Sequence, residues 1–248
     1  MNYQQAKERL LNVTKLVDDL LPGRLKYDSR TLEPLPFEGI SVIHNINKDV
    51  TEQLGLSQMA RSLISKIARA KLESKIAFVS TESFHATTFD LINEKEHSEQ
   101  LKAGGFDYKS VRQRVRDIAV GFLKNREPRL VETISVTGIG MFAPAVLKLD
   151  LAIDNGVLNR FQDFRLELHR TLVAQVDGYS IVRRPDWDRK LSGHITFGYV
   201  VNPVTGPEID LFIDILENFN AQFRSIEFDI SLGEVTQFTD MNHYFVVP

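Results

Sequence analysis

The chain has 248 residues, a formal net charge of −3, and apolar (43%) and charged (25%) fractions typical of a globular protein, enough for one substantial core or two small lobes. The slight acidity argues against a long duplex-DNA footprint or a role on an anionic membrane surface, yet leaves room for a small anion in a local pocket. The absence of cysteine removes disulfides, thiolate metal sites and cysteine nucleophiles, and fits a reducing compartment.

The opening MNYQQAKERLLNVTKLVDDLL alternates polar and apolar residues and lacks the apolar core of a signal peptide. No stretch approaches the roughly 18 apolar residues of a membrane span, so a cytoplasmic protein is expected. Residues 3–20 read as an amphipathic helix closed by Pro22-Gly23, followed by an extended stretch through Pro34 and Pro36. GISVIHNI (39–46) is strand-like, and residues 54–70 carry Leu56, Met59, Leu63, Ile64 and Ile67 at helical spacing. Residues 75–92 return to strand character, NEKEHSEQ reads as a charged loop, Gly104-Gly105 as a further loop, and 107–124 as a helix.

Two more strands are predicted over 130–137 and 145–153, joined by a turn at Gly138, Gly140 and Pro144. In the second, leucines and Ile153 alternate with Lys148 and Asp150, the pattern of a sheet with one wet face. A helix over 157–175 places Phe161, Phe164, Leu168 and Leu172 on one side. A strand at 194–201, a helix from Pro207, and strands at 225–232 and 244–247 complete the chain. Two halves, each a helix followed by a histidine-bearing strand, echo one another, and no Gly-, Ser- or Pro-rich linker separates them.

The histidines carry the chemistry. Of the six, His85, His169 and His194 are followed two places on by threonine. Within a strand, positions i and i+2 project from one face, so His85 with Thr87, and His194 with Thr196, each set an imidazole beside a hydroxyl. His169 lies in a helix, where i and i+2 diverge, and its match is coincidental. In-line displacement at a phosphate needs one group to accept a proton from the attacking oxygen and another to supply one to the leaving oxygen. Two imidazoles suit both tasks near neutral pH, and threonine hydroxyls can hold the non-bridging oxygens.

Two H-x-T motifs on strands in a duplicated βα layout resemble the 2H phosphoesterase superfamily, which includes RNA 2′,3′-cyclic phosphodiesterases, 2′-5′ RNA ligase-like proteins and 2′-5′ oligonucleotide phosphodiesterases. The strings SFHATTFD and GHITFGYV are similar to those of a poorly characterised bacterial branch. The order of elements matches from about residue 37, which gives a single domain over 37–248 and an N-terminal helical extension over 1–36. The resemblance implies an α+β, bilobal, pseudo-two-fold fold, with two antiparallel sheets flanked by helices around a cleft. It implies His85 and His194 as the acid–base pair and Thr87 and Thr196 as phosphate clamps; no cofactor or metal is expected. Gly193 before the second histidine and Thr88 after the first threonine depart from the apolar residues the family favours there.

The expected partner is a small nucleotide or an RNA end, as a 2′,3′-cyclic phosphate or a 2′-5′ linkage. The alternatives are a non-catalytic module that binds a nucleotide or an RNA end, and reversible 2′-5′ RNA ligation. By simple alternation Phe89 shares the face of His85 and Thr87, where its ring would stack on a base, and Asp90 falls on the opposite face. In IVRRPDWDRKLSG, Arg183, Arg184, Arg189 and Lys190 are candidates for a substrate phosphate, and Trp187 for stacking. No HExxH or other ligand spacing flanks either motif. His44 reads as structural, His97 as solvated, and His243 has no assigned role.

Overall fold

The computed structural model describes residues 3–14, 25–46, 55–125, 131–142, 146–182 and 194–248. Within them nine strands form one antiparallel sheet: β1 Gly39–Asn45, β2 Ile76–Phe78, β3 His85–Asn93, β4 Val131–Phe142, β5 Val146–Ala152, β6 His194–Val200, β7 Ile226–Ser231, β8 Glu234–Phe238 and β9 Tyr244–Val246. The order is β7-β4-β5-β6-β3-β1-β8-β9, with β2 added to β6. The two expected sheets are therefore joined edge to edge. Their seam is β3 against β6, paired at Ala86↔Ile195.

Six helices are described: α1 Tyr3–Thr14, α2 Leu56–Arg69, α3 Glu94–Ala103, α4 Tyr108–Lys124, α5 Asn155–Gln175 and α6 Gly206–Gln222. Their apolar stripes face the core as periodicity predicts, through Phe161, Phe164, Leu168 and Leu172 in α5 and Ile209, Phe212, Leu216 and Phe219 in α6. Helices α4 and α5 pack against the half containing β3, and α6 packs against β4 with α1 and α2 beside it. Residues ahead of 37 join the same core, with Ala6, Leu10 and Tyr27 buried. Among the described residues no helix is long and apolar enough to cross a membrane.

Three local expectations are corrected. The glycines at 138 and 140 do not form a turn but lie inside the long strand β4. A side chain at Gly140 would collide with the Asp150 carboxylate, so this glycine serves a close approach rather than a reversal. NEKEHSEQ is not a loop but helix α3. The Asn93 side chain caps it by accepting the Glu96 N–H, Glu94 and Glu96 sit in its first turn, and Leu101 and His97 are buried. The run 75–92 is two strands, split by a short 3-10 turn at Thr81–Ser83. The strand β8 has no counterpart in the expected elements.

Candidate active site

The pair Ala86↔Ile195 at the seam fixes the geometry of the site. Both residues are buried, at 3% and 0% exposure, and point into the core. Their neighbours must then project from the opposite face, and in an antiparallel pair those neighbours lie across from one another. His85 thus falls beside Thr196, and Thr87 beside His194. All four are partly exposed, so the two H-x-T pairs converge on one surface at the middle of the sheet.

The flanking strands add to this row. On β5, Lys148 is paired with Thr196 and Asp150 with His194; on β1, Ile43 is paired with Thr87 and Asn45 with His85. The Lys148 ammonium meets the Asp150 carboxylate at 2.7 Å. Neither residue was singled out by its sequence context beyond the wet face of the strand. Pairing with β6 turns that wet face into a wall of the site.

The His85 ring is held on two sides. Its Nδ1 lies 2.7 Å from the Ser83 carbonyl, a bond in which the ring nitrogen must be the donor, leaving Nε2 to accept a proton. The Tyr244 ring packs 4.3 Å from it, centroid to centroid. Burial pushes the His85 imidazole down to about 4; the charges of His194 and Lys26 act in the same direction, and the Ser83 bond and Asp90 oppose it. Lys26 comes from the segment ahead of the domain as read from sequence. Its ammonium donates to the Tyr199 hydroxyl at 3.2 Å and lies over the Phe37 and Tyr199 rings.

The depressed proton affinity of His85 has a measurable consequence. Between its ordinary value of 6.5 and about 4, the unfolded chain binds a proton at this residue that the folded chain does not. Stability is therefore expected to fall as pH drops through that window, by an amount on the order of 2–3 kcal/mol from this residue. Urea unfolding at pH 7 and pH 4.5 should show this loss in the wild type. A markedly smaller loss is expected in His85→Asn, and equal losses in the two proteins would refute the assignment.

Two expectations at this site are corrected by the register of β3. Its partners on β1 run Thr87↔Ile43 and then Phe89↔Val42, so Thr88 is an extra residue in the ladder. A bulge of one residue reverses the alternation beyond it. Phe89 consequently faces the core, at 6% exposure, near the His169 ring and under the Arg165 guanidinium. It is not a stacking surface for a base. Asp90 is brought instead to the face of His85, where it accepts a hydrogen bond from the Ser41 hydroxyl at 2.8 Å.

The other histidines separate from the site. His169 is buried between Phe89 and Tyr179. His44 Nδ1 accepts the Ser231 N–H at 3.1 Å, in keeping with its structural reading. His97, expected in solvent, is buried at 4% and its Nδ1 accepts the Asn93 N–H, because the charged run around it is helical. His243 is exposed and pairs with Asp240. Arg183, Arg184, Trp187, Arg189 and Lys190 lie outside the described residues. Among the described residues no group of three or more histidine, aspartate and glutamate side chains is arranged to hold a metal ion.

No family model matches the sequence, and neither does any curated protein. Solved structures do match. A conserved protein of unknown function from Agrobacterium tumefaciens strain C58 aligns over 90% of this chain and 89% of its own, at 20% identity and a TM-score of 0.60. A protein from Thermus thermophilus aligns over 84% of this chain and 94% of its own, at 15% identity and a TM-score of 0.45. The mixed α+β architecture with its curled antiparallel sheet is thus similar to that of the Agrobacterium protein along nearly the whole chain.

Proposed function

We propose that this chain is a metal-independent phosphodiesterase of the 2H phosphoesterase kind, acting on a nucleotide or RNA-end phosphodiester such as a 2′,3′-cyclic phosphate or a 2′-5′ linkage. The observation that carries the reading is the seam pair Ala86↔Ile195, which sets two imidazoles and two threonine hydroxyls on one face of the sheet. One imidazole takes the proton of the attacking oxygen and the other supplies a proton to the leaving oxygen. The pair titrates as a coupled unit, one member neutral and one charged in the active form. Thr87 and Thr196 donate to the non-bridging oxygens and hold the phosphorus in line. Lys148, across the ladder from Thr196, and Lys26, whose charge acts on His85, supply positive charge to this row.

The test is turnover of 2′,3′-cyclic mononucleotides and 2′-5′ oligonucleotides in the presence of EDTA. Product formation that survives the chelator and is lost in His85→Ala is expected. Nucleotide binding without turnover would replace this reading with a binding module. Activity abolished by EDTA and restored by zinc or manganese would replace it with a metal-dependent one.

A further inference from the structure

We infer that the Lys148–Asp150 ion pair breaks the symmetry of the two H-x-T motifs, so that His194 holds the proton in the resting protein and His85 is the acceptor. This deepens the proposed function and rests on its reading of His85 and His194 as an acid–base pair. Strand β5 stands to β6 as β1 stands to β3, so the neighbours of the two motifs can be compared place for place. Beside His194 is Asp150, and beside His85 is Asn45; beside Thr196 is Lys148, and beside Thr87 is Ile43. One histidine therefore has a carboxylate across its ladder position, and the other a neutral amide.

Side chains directly opposite in antiparallel strands have Cβ atoms roughly 4.5–5.5 Å apart, so Asp150 and His194 are neighbours across the ladder, and a neighbouring carboxylate favours the imidazolium. The carboxylate is fixed on the β4 side of its own strand. It is 26% exposed, bound to the Lys148 ammonium at 2.7 Å, and lies over Gly140, where any side chain would displace it. Lys148 sits at the level of Thr196, so its ammonium is placed to take a non-bridging phosphate oxygen. A bound phosphate that draws Lys148 toward itself leaves the charge of Asp150 to His194 alone.

The groups around His85 act otherwise. Asp90 on its own strand and Lys26 from the N-terminal segment oppose each other in charge, and Tyr244 and the surrounding protein leave the ring only partly exposed. The bond from Nδ1 to the Ser83 carbonyl leaves Nε2 with a free lone pair toward the site. In hydrolysis, then, the water oxygen bonds to phosphorus while its proton passes to His85 Nε2. The ester P–O bond breaks, and the leaving oxygen takes its proton from His194. Exchange with solvent restores both histidines. Asp150 is a positioning residue in this scheme and touches no reacting atom.

The experiment is an NMR titration of the histidine rings in the full chain, assigned by single replacement of each, in the wild type, D150N, K148Q and the double variant K148Q/D150N. His194 is expected to bind its proton at least about tenfold more tightly than His85. D150N should lower the proton affinity of His194 about tenfold while changing that of His85 less than about twofold, and K148Q should raise that of His194. If D150N fails to fold because Lys148 is left without its partner, the double variant, which has no orphaned charge, should still show the drop at His194 when it is compared with K148Q. A His194 affinity at or below that of His85 overturns the inference, as does a D150N effect of equal size on both rings. The titration reads no turnover, so a protein that binds nucleotide without cleaving it would lose the proposed function and keep this ordering. Turnover with the ordering reversed would sink this inference alone.

Discussion

His85→Ala and His194→Ala are each expected to lower kcat on a cyclic phosphodiester about 10²–10⁴-fold, the usual contribution of a positioned acid or base. The double replacement should cost far less than the product of the two, because the proton transfers belong to one event and neither is useful alone. Thr87→Ala and Thr196→Ala remove one hydroxyl each from the phosphate row, and smaller losses are expected with folding intact. Single-turnover measurements on the wild type and all five variants check this. His243→Ala supplies the control, since that ring is 62% exposed and paired only with Asp240 among the contacts described for it. A loss there as large as at His194 would show that the site has been placed in the wrong part of the molecule.

Phe197→Ala should be the most damaging single change to stability near the site, by about 3–5 kcal/mol. The ring is 1% exposed and packs on Phe78 at 5.6 Å and Phe84 at 6.0 Å between centroids. Phe197 follows Thr196 directly, and Phe84 directly precedes His85, so this cluster ties both motifs to one piece of core. Phe197 is also the extra residue where β6 passes from Thr196↔Lys148 to Gly198↔Leu147, and truncation removes the side chain that anchors this irregularity. For a domain whose total stability is about 5–15 kcal/mol, the loss is large. A urea midpoint lowered accordingly at unchanged m is expected, and a change under about 1 kcal/mol would show that the cluster does not hold the seam.

The four central residues of the site are legible in the sequence because β3 and β6 are regular over three residues at each motif, where alternation alone decides the face. Beyond Thr88 this fails. The face of Phe89 and Asp90 depends on which residues of β1 they meet, and a single strand read alone contains no trace of the insertion. Gly138 and Gly140 mislead for a related reason: glycine reads as a breaker locally, and the use of Gly140 here is set by the Asp150 carboxylate lying above it on another strand. Helix α3 is missed because it buries little, chiefly His97 and Leu101, so its apolar period is too thin to register. Lys148 and Asp150 are legible as the wet side of β5. Which histidine they attend is decided by strand order, a property of the whole sheet.

The bulge at Thr88 makes the register of β3 matter as much as its chemistry. Substituting Thr88 by a residue of similar size leaves the count of positions intact. Deleting it would close the ladder between Thr87 and Phe89 and leave the Phe89 ring in the core and the Asp90 carboxylate on the face of His85, where the bulge already puts them. Drawing Thr88 into the ladder as a regular position, with no residue lost, would instead place a charge in the core and an aromatic ring in the site. In this strand, pairing carries meaning in the way a reading frame does, and two relatives with the same residues here would differ in the site if one bulged at Thr88 and the other paired it.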